Sequence, residues 1–201
     1  MTRVRIFSMV GLAAFAVAFA VLMLVVLPRV RPHAFNAQVM QGIPAPDIEL
    51  VGPGGEPVAL SDFEGQVVAV YFGYTFCPDV CPISLAKLNR ARTMLGEDAD
   101  QVQVVMVTVD PARDTVEVLE EYMGNFDESF IGLTGPEDDI DRIATVYGIY
   151  HQAQESTSAA GYLVDHTSTV MVIDKNGELK LLVPYDMTDE EVADDLAYLV
   201  G

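Results

Sequence analysis

Residues 66–82 read QVVAVYFGYTFCPDVCP and contain the clearest structural signal in the chain. Residues 66–74 form a continuous apolar run rich in β-branched and aromatic side chains, which is typical of a strand buried on both faces of a sheet. The residues that follow place apolar side chains at helical spacings, at Ile83, Leu85, Leu88, Ala91 and Leu95. A buried strand that leads directly into a helix predicts an α/β fold.

The rest of the chain continues this alternation of strands and helices. The predicted elements are a hairpin at 48–51 and 57–60, strands at 101–109, 130–133, 162–164, 169–173 and 179–183, and helices at 80–95, 114–126, 136–147 and after Thr188. Capping boxes at Ser61–Glu64, Asp114–Glu117 and Thr188–Glu191 mark predicted helix starts. This order predicts one sheet with helices on both faces.

The composition limits the classes of protein to which the chain can belong. Its 201 residues are enough for one globular domain. The 11 Lys and Arg residues against 30 Asp and Glu residues give a net charge of -19, which excludes a general attraction to nucleic acid or anionic lipid. Two cysteines are too few for a disulfide-rich scaffold or for a zinc site of four cysteines.

Residues 6–27 form an uncharged apolar run of 22 residues. A helix needs about 20 apolar residues to cross the hydrocarbon layer of a membrane, so the run predicts a single transmembrane anchor. The alternative is a cleaved signal peptide, because Ala18-Phe19-Ala20 has the form of a cleavage site. The run continues to Leu27, which favours the uncleaved anchor. Two arginines flank each side, so the charge pattern leaves the orientation open.

These features divide the chain into four parts. Residues 1–5 are a short tail, residues 6–27 the anchor, residues 28–46 a polar tether without a sustained period, and residues 47–201 one domain. A domain of about 155 residues is large enough for one sizeable core.

The two cysteines, Cys77 and Cys81, lie where the first buried strand joins its helix. Backbone N–H groups at a helix start stabilise anions, so a thiolate is favoured there. If the intervening residues are helical, the i, i+4 spacing places both sulfur atoms on one face, where they can converge on a metal ion or on each other. The pair is therefore a candidate metal site and a candidate redox site.

The histidines supply a candidate third ligand. His33 lies on the predicted tether and His151 in a polar stretch, which is typical of solvated side chains. His166 immediately precedes a predicted strand, where the end of a neighbouring strand can face it across the sheet. Two thiolates and one imidazole form a set suited to Cu(I). A structural, hydrogen-bonding role for His166 remains the alternative.

Three motifs together resemble the SCO/SenC family. They are GYTFCPDVCP at residues 73–82, VDPARDT at residues 109–115, and DHT at residues 165–167, before a strand that ends in Asp174. The predicted anchor also matches that family. The resemblance implies a thioredoxin-like fold, with a central mixed β-sheet flanked by helices and an N-terminal transmembrane helix. It also implies that Cys77, Cys81 and His166 bind copper, as Cu(I) or alternatively as Cu(II).

The resemblance further implies a membrane-tethered copper chaperone that helps metallate the dinuclear copper centre of cytochrome c oxidase. The expected partners are a copper-accepting oxidase subunit, an upstream copper donor or thiol reductant, and the membrane; no nucleic acid is expected. The predicted location is a bacterial inner membrane, with a single-pass anchor and the domain facing the periplasm. The anchor begins at residue 6, which leaves no room for a mitochondrial transit peptide.

The same residues allow an enzymatic alternative, and the sequence leaves this choice open. A thiol-disulfide reductase would cycle Cys77 and Cys81 between dithiol and disulfide and keep the acceptor's cysteines reduced. Thioredoxin-type reductases use a two-residue spacer and a nearby proline, whereas this spacer has three residues and His166 stands in place of the proline. A thiol peroxidase is disfavoured because Tyr74 lies where that class needs threonine. A structural disulfide would close only a short loop and contribute little stability.

Local structure explains the charged residues near the cysteines without a catalytic role. Asp79 at the helix start is explained by its favourable interaction with the helix dipole. Turn and cap chemistry accounts for Asp110, Arg113 and Asp114. The acidic cluster at residues 137–141 is typical of a solvated helix face.

Overall fold

The computed structural model describes residues 14–21, 23, 33–158 and 161–201, with the backbone alone at residues 41 and 155–158. The chain divides into two units at residues 34 and 35. In the first unit, residues 14–21 are helical. Within the described ranges, no helix is both long enough and apolar enough to cross a bilayer. Most of the anchor predicted at residues 6–27 lies outside the described residues.

The second unit, residues 35–201, contains alternating strands and helices. Its strands are β1 (Gln38–Pro44), β2 (Glu49–Val51), β3 (Pro57–Ala59), β4 (Val67–Gly73), β5 (Val102–Thr108), β6 (Ile131–Leu133), β7 (His151–Ser158), β8 (Gly161–His166), β9 (Val170–Ile173) and β10 (Glu178–Val183). Its α-helices are α1 (Val80–Met94), α2 (Val116–Gly124), α3 (Glu137–Val146) and α4 (Asp189–Val200). The predicted order of elements is therefore confirmed in outline.

The central sheet has the strand order β1-β10-β9-β4-β5-β6. β4, β5 and β6 are parallel, whereas β9 runs antiparallel to β4 and continues through β10 to β1 in antiparallel pairs. Every residue of β4 is buried, as its continuous apolar run predicts. The sheet is thus mixed, as expected.

Helices cover the sheet and complete the core. α1 and α4 pack against each other, and α2 packs against β6. The capping box predicted at Thr188 is present: the Glu191 N–H donates to Thr188 Oγ1 at 3.2 Å, and the Thr188 N–H donates to Glu191 Oε2 at 2.9 Å. The predicted mixed α/β architecture is confirmed.

Two hairpins lie outside the central sheet. β2 pairs with β3, as predicted, and β7 pairs with β8 in a separate antiparallel ribbon. The sequence predicts β8 only in part. It does not predict β7, which reads HQAQESTS and has no apolar side chain larger than that of Ala153. β8 ends at His166, so this ribbon carries one of the predicted site residues.

Three local expectations differ from the structure. Residues 38–44, predicted as tether, form β1 and pair with β10. The cap of α2 is Thr115, whose Oγ1 accepts from the Val118 N–H, whereas Asp114 is fully buried. At the predicted Ser61 box, a 3-10 turn forms instead, and Asp62 accepts from the Ala59 N–H. In the last two cases a neighbouring polar side chain performs the capping.

Candidate metal centre

The cysteines lie at the junction of β4 and α1. Cys77 is in the connecting loop, where its N–H donates to the Tyr74 carbonyl at 3.3 Å. Cys81 is in the first turn of α1 and is fully buried. Gly73 permits this close approach, because a Cβ atom there would lie 2.7 Å from the Tyr71 ring and 3.0 Å from Cys81 Sγ.

The third predicted residue, His166, reaches the thiols from the end of β8. Its Nε2 lies 3.3 Å from Cys81 Sγ, and its Nδ1 lies 3.1 Å from the Thr167 carbonyl oxygen. A carbonyl oxygen only accepts hydrogen bonds, so Nδ1 carries the proton in this contact. The Nε2 lone pair is therefore directed toward the sulfur atoms, which is the tautomer that a metal-binding imidazole needs.

The structure brings together all three side chains proposed as ligands. One donor atom from each of Cys77, Cys81 and His166 lies within 4.8 Å of the others. Cys77 is 8% exposed and His166 half-buried, so the site opens to solvent on their side. Two sulfur atoms and one imidazole nitrogen at this separation suit a soft cation such as Cu(I).

The two thiols have opposite shifts in acidity. Burial is the main cause that raises the pKa of Cys81. A hydrogen bond from Cys81 is the main cause that lowers the pKa of Cys77 to about 3, against the opposing effect of burial. The directions of these shifts favour a pair that shares one proton, with the negative charge on the side of Cys77. A bound metal ion would displace the remaining proton.

Two buried tyrosines form an aromatic wall that the sequence analysis did not identify. The Tyr71 hydroxyl donates to Cys81 Sγ at 3.5 Å, and burial raises its pKa, so the hydroxyl remains a neutral donor. The Tyr71 and Tyr74 rings contact His166 edge-on, with ring centroids 6.1 Å and 5.7 Å from the imidazole. The wall restricts the orientation of the imidazole. Only the side-chain alternation along β4 could have indicated that Tyr71 shares a face with Gly73.

Asp114 has a different role from the helix cap that its position predicts. Its carboxylate accepts hydrogen bonds from the Thr75 N–H at 3.1 Å, the Thr75 hydroxyl at 2.6 Å and the Thr108 hydroxyl at 2.6 Å. These contacts join the end of β5 to the loop that carries Cys77. Asp79, by contrast, is exposed and makes no side-chain cap.

The second histidine of the ribbon is directed elsewhere. His151 is the cross-strand partner of His166 in the β7–β8 register, yet its Nε2 contacts Asp141 Oδ1 at 3.2 Å. His151 does not belong to the Cys77, Cys81 and His166 group among the described residues. It therefore serves as a matched control for His166.

The amino-acid sequence of this chain is similar to those of known proteins. The profile described as SCO1/SenC matches residues 43–201. The SCO2-like protein RP587 of Rickettsia prowazekii is 35% identical over 145 residues, which cover 72% of this chain and 71% of that protein. The mitochondrial SCO2 homologue of Homo sapiens is 32% identical and is matched over 60% of its length by 80% of this chain.

Solved structures show the same architecture. The copper-bound structure of ScoI from Bradyrhizobium japonicum has a TM-score of 0.71 and 32% identity, and the match covers 77% of this chain and 98% of that one. The solution structure of apo Sco1 from Thermus thermophilus has a TM-score of 0.71 and 39% identity. The match covers 83% of this chain and 96% of that one.

The profile match spans the β4–α1 junction, the Asp110–Asp114 turn and the His166 strand, which carry the three motifs of the sequence. The fold is the thioredoxin-like fold of the Sco proteins. From the profile, the relatives and the architecture together, the chain belongs to the SCO1/SenC family.

Proposed function

We propose that this protein binds copper through Cys77, Cys81 and His166 and helps metallate the dinuclear copper centre of cytochrome c oxidase. The observation that carries the proposal is the position of His166 Nε2, 3.3 Å from Cys81 Sγ. A redox pair needs no imidazole at that position, whereas a three-coordinate soft-metal site does. The copper-bound state of the similar ScoI from Bradyrhizobium japonicum supports the assignment.

Each side chain has a distinct part in holding the cargo. Cys77 supplies a preformed thiolate at the open side of the site, and Cys81 supplies a second one after losing its proton. His166 supplies a neutral nitrogen whose tautomer is held by Thr167. Cu(I) is the species that this set favours, because soft ligands and low coordination number suit it.

A second candidate function is supported by the unequal acidity of the thiols. As a reductase, the Cys77 thiolate would attack an acceptor disulfide, forming a mixed disulfide and releasing one acceptor thiolate. Cys81 would lose its proton and attack Cys77 Sγ, releasing the second acceptor thiol and leaving a Cys77–Cys81 disulfide. An upstream thiol reductant would have to restore the pair. A thiolate on the more accessible cysteine beside a fully buried thiol is the arrangement that this sequence of steps needs.

A competition titration tests the two candidates. The purified, reduced full-length protein is titrated with Cu(I) under anaerobic conditions against a chromogenic chelator, with Cys77→Ser, Cys81→Ser and His166→Ala variants. We expect a one-to-one complex in the wild type and no tight binding in either serine variant. In His166→Ala, we expect the Cu(I) affinity to fall by more than about 100-fold, because loss of a residue that only supports a metal ligand already costs about 10- to 100-fold in metal affinity.

The histidine on the paired strand provides the control. His151→Ala should bind Cu(I) as tightly as the wild type, because His151 pairs with Asp141 and not with the thiols. Equal affinity of the wild type and His166→Ala would remove His166 from the site. Absence of competitive binding, together with a readily reduced Cys77–Cys81 disulfide, would favour the reductase.

We also infer a single-pass tether in a bacterial inner membrane with the domain in the periplasm. The uncharged run at residues 6–27 supports this location. Carbonate extraction of membranes tests it: the full-length protein should stay with the lipid fraction, and a domain accessible to protease only from the periplasmic side should confirm the orientation. Release by carbonate would contradict the tether.

A further inference from the structure

The β7–β8 ribbon needs contacts outside its own hydrogen-bond ladder to hold His166 in place. The ribbon forms a separate two-stranded sheet and makes no ladder with the central sheet in the described chain. Isolated two-stranded ribbons are marginally stable in water. The position of His166 at the end of β8 therefore depends on how the ribbon is attached to the domain.

Arg113 makes a polar attachment to the ribbon. Its guanidinium pairs with Asp110 through Nε and Oδ2 at 2.5 Å, and its Nη1 donates to the Tyr162 carbonyl at 3.1 Å. The Tyr162 hydroxyl donates to Asp110 Oδ1 at 2.5 Å. The guanidinium also lies over the Tyr162 ring, 3.7 Å from its centroid. Arg113, Asp110 and Tyr162 thus form a closed set of contacts, which we term the clamp.

The opposite side of the clamp faces the cysteine loop. The Arg113 guanidinium lies 4.7 Å from the ring centroid of Phe76, the residue before Cys77. Tyr162 belongs to β8, the strand that ends at His166. One planar cation therefore lies between the loop that carries a thiol and the strand that carries the imidazole. Stacking of this kind favours Arg over Lys, whose charge is a point on a flexible stem.

The clamp is buried enough to act as a fixed attachment. The Asp110 side chain is 3% exposed and that of Arg113 is 17% exposed. Ion pairs with this little solvent access are screened less than surface pairs, and removal of one partner leaves a buried charge. A neighbouring residue completes the attachment, because Asp114 holds Thr75 at the start of the cysteine loop.

We propose that Arg113 is a positioning residue that docks β8 against the cysteine loop and so holds His166 opposite the two thiols. The inference rests on the proposed copper site, whose donor set it completes. Arg113 does not touch the donor atoms themselves. Its loss withdraws the imidazole from the two thiols, which stay in the loop after β4 and in the first turn of α1.

A double-mutant cycle tests this role. Cu(I) affinity is measured by chelator competition for the full-length wild type, Arg113→Lys, His166→Ala and the double variant. We expect Arg113→Lys, which keeps the charge opposite Asp110, to bind about 10- to 100-fold more weakly than the wild type. In the His166→Ala background the same substitution should change the affinity less than about twofold, because Arg113 acts through His166.

Two controls separate positioning from general destabilisation. Arg142→Lys alters an exposed arginine that pairs with Asp139 three residues earlier, and it should bind Cu(I) as the wild type does. Tyr162→Phe removes the hydroxyl that contacts Asp110 and should weaken binding in the same direction as Arg113→Lys. The proposal would be overturned if Arg113→Lys lowered the Cu(I) affinity by the same factor in the wild type and in the His166→Ala background.

A measurement without copper makes the inference independent of the proposed function. The Val164 N–H on β8 donates to the Tyr74 hydroxyl at 3.2 Å, so its hydrogen exchange reports docking of the ribbon. In reduced, metal-free Arg113→Lys we expect faster exchange at Val164 and unchanged exchange along β5. Unchanged exchange at Val164 would overturn the docking role. Failure of the wild type to bind Cu(I) would instead refute the proposed function.

Discussion

Cys77 and Cys81 carry the same functional group, yet they differ in acidity because they differ in solvent access. Cys81 has no exposed surface, and burial raises its pKa. Cys77 retains 8% exposure and accepts a hydrogen bond from Cys81, which lowers its pKa. The two shifts therefore favour the anion on Cys77, the more accessible of the two thiols.

This asymmetry predicts an unusual pH dependence of alkylation. A thiolate is the reactive form, and an ordinary thiol loses about tenfold in thiolate fraction for each pH unit below its pKa. Because the pKa of Cys77 is lowered to about 3, we expect iodoacetamide to modify Cys77 at a constant rate between about pH 5 and about pH 8 in the reduced protein. Peptide mass spectrometry measures the rate at each pH.

Cys81 is the internal control for this experiment. It is buried and protonated, so it should remain unmodified while the protein is folded and should react after unfolding in urea. A tenfold change per pH unit at Cys77 would show that its pKa is not lowered.

The residue types of the site are more predictable than their surroundings. Cys77, Cys81 and His166 are identifiable because thiols and imidazoles are rare and their chemistry is specific. Arg113 and Asp114 look like turn residues in the sequence, since nothing in their spacing indicates that the turn folds under the cysteine loop. Burial of these charges depends on partners far along the chain, such as Tyr162 and Thr75.

At the scale of elements, the strand-to-helix junction depends on a residue without a side chain. Gly73 ends β4 at the point where the Tyr71 ring and Cys81 Sγ come closest to the backbone. The glycine is needed here for space, and its backbone conformation is not left-handed. Any side chain at this position must displace the ring or the sulfur.

We therefore predict that Gly73→Ala destabilises the protein by about 1–3 kcal/mol, the usual cost of overpacking a core. The same substitution should weaken Cu(I) binding, because the groups that it crowds are Cys81 Sγ and the Tyr71 ring, whose hydroxyl donates to that sulfur atom. Urea unfolding monitored by circular dichroism gives the free energy of unfolding. Gly124→Ala is the matched control, since a Cβ atom there meets nothing within 4 Å and a helix favours Ala over Gly. Equal stability of the two variants would contradict the prediction.

Elements with strong apolar patterns are predicted well, and those without such patterns are not. The run that forms β4 and the capping box that opens α4 each follow from local sequence. β1 and β7 are polar or mixed in sequence and exist because a partner strand offers unpaired backbone groups. For β1 that partner, β10, lies more than 130 residues later in the sequence, so no local window indicates the pairing.

At the scale of the whole molecule, the segment before the predicted domain start is part of the fold. The Asn36 and Ala37 N–H groups donate to the carboxylate of Asp195 at 2.9 Å and 2.8 Å, and Ala37 is buried. These contacts join the segment that precedes β1 to α4. The domain therefore begins near Phe35, where the second unit starts.

This boundary predicts the outcome of truncation. A fragment of residues 47–201 should be less stable than one of residues 35–201 by at least about 2 kcal/mol, because it lacks β1 and the two backbone donors to the buried Asp195 carboxylate. Urea unfolding of the two fragments measures the difference. Equal free energies of unfolding would mean that β1 contributes nothing to the domain.

The inclusion of β1 in the sheet also decides which strand lies at the edge beside β10. Without β1, the outer N–H and C=O groups of β10 would have no partner strand on that side, and an exposed edge of this kind is a template for pairing with another chain. β1 itself has an irregular register between Val39 and Ile43 and ends at Pro44, which are features that disfavour the addition of a further strand. The pairing of β1 thus protects the domain against edge-to-edge association.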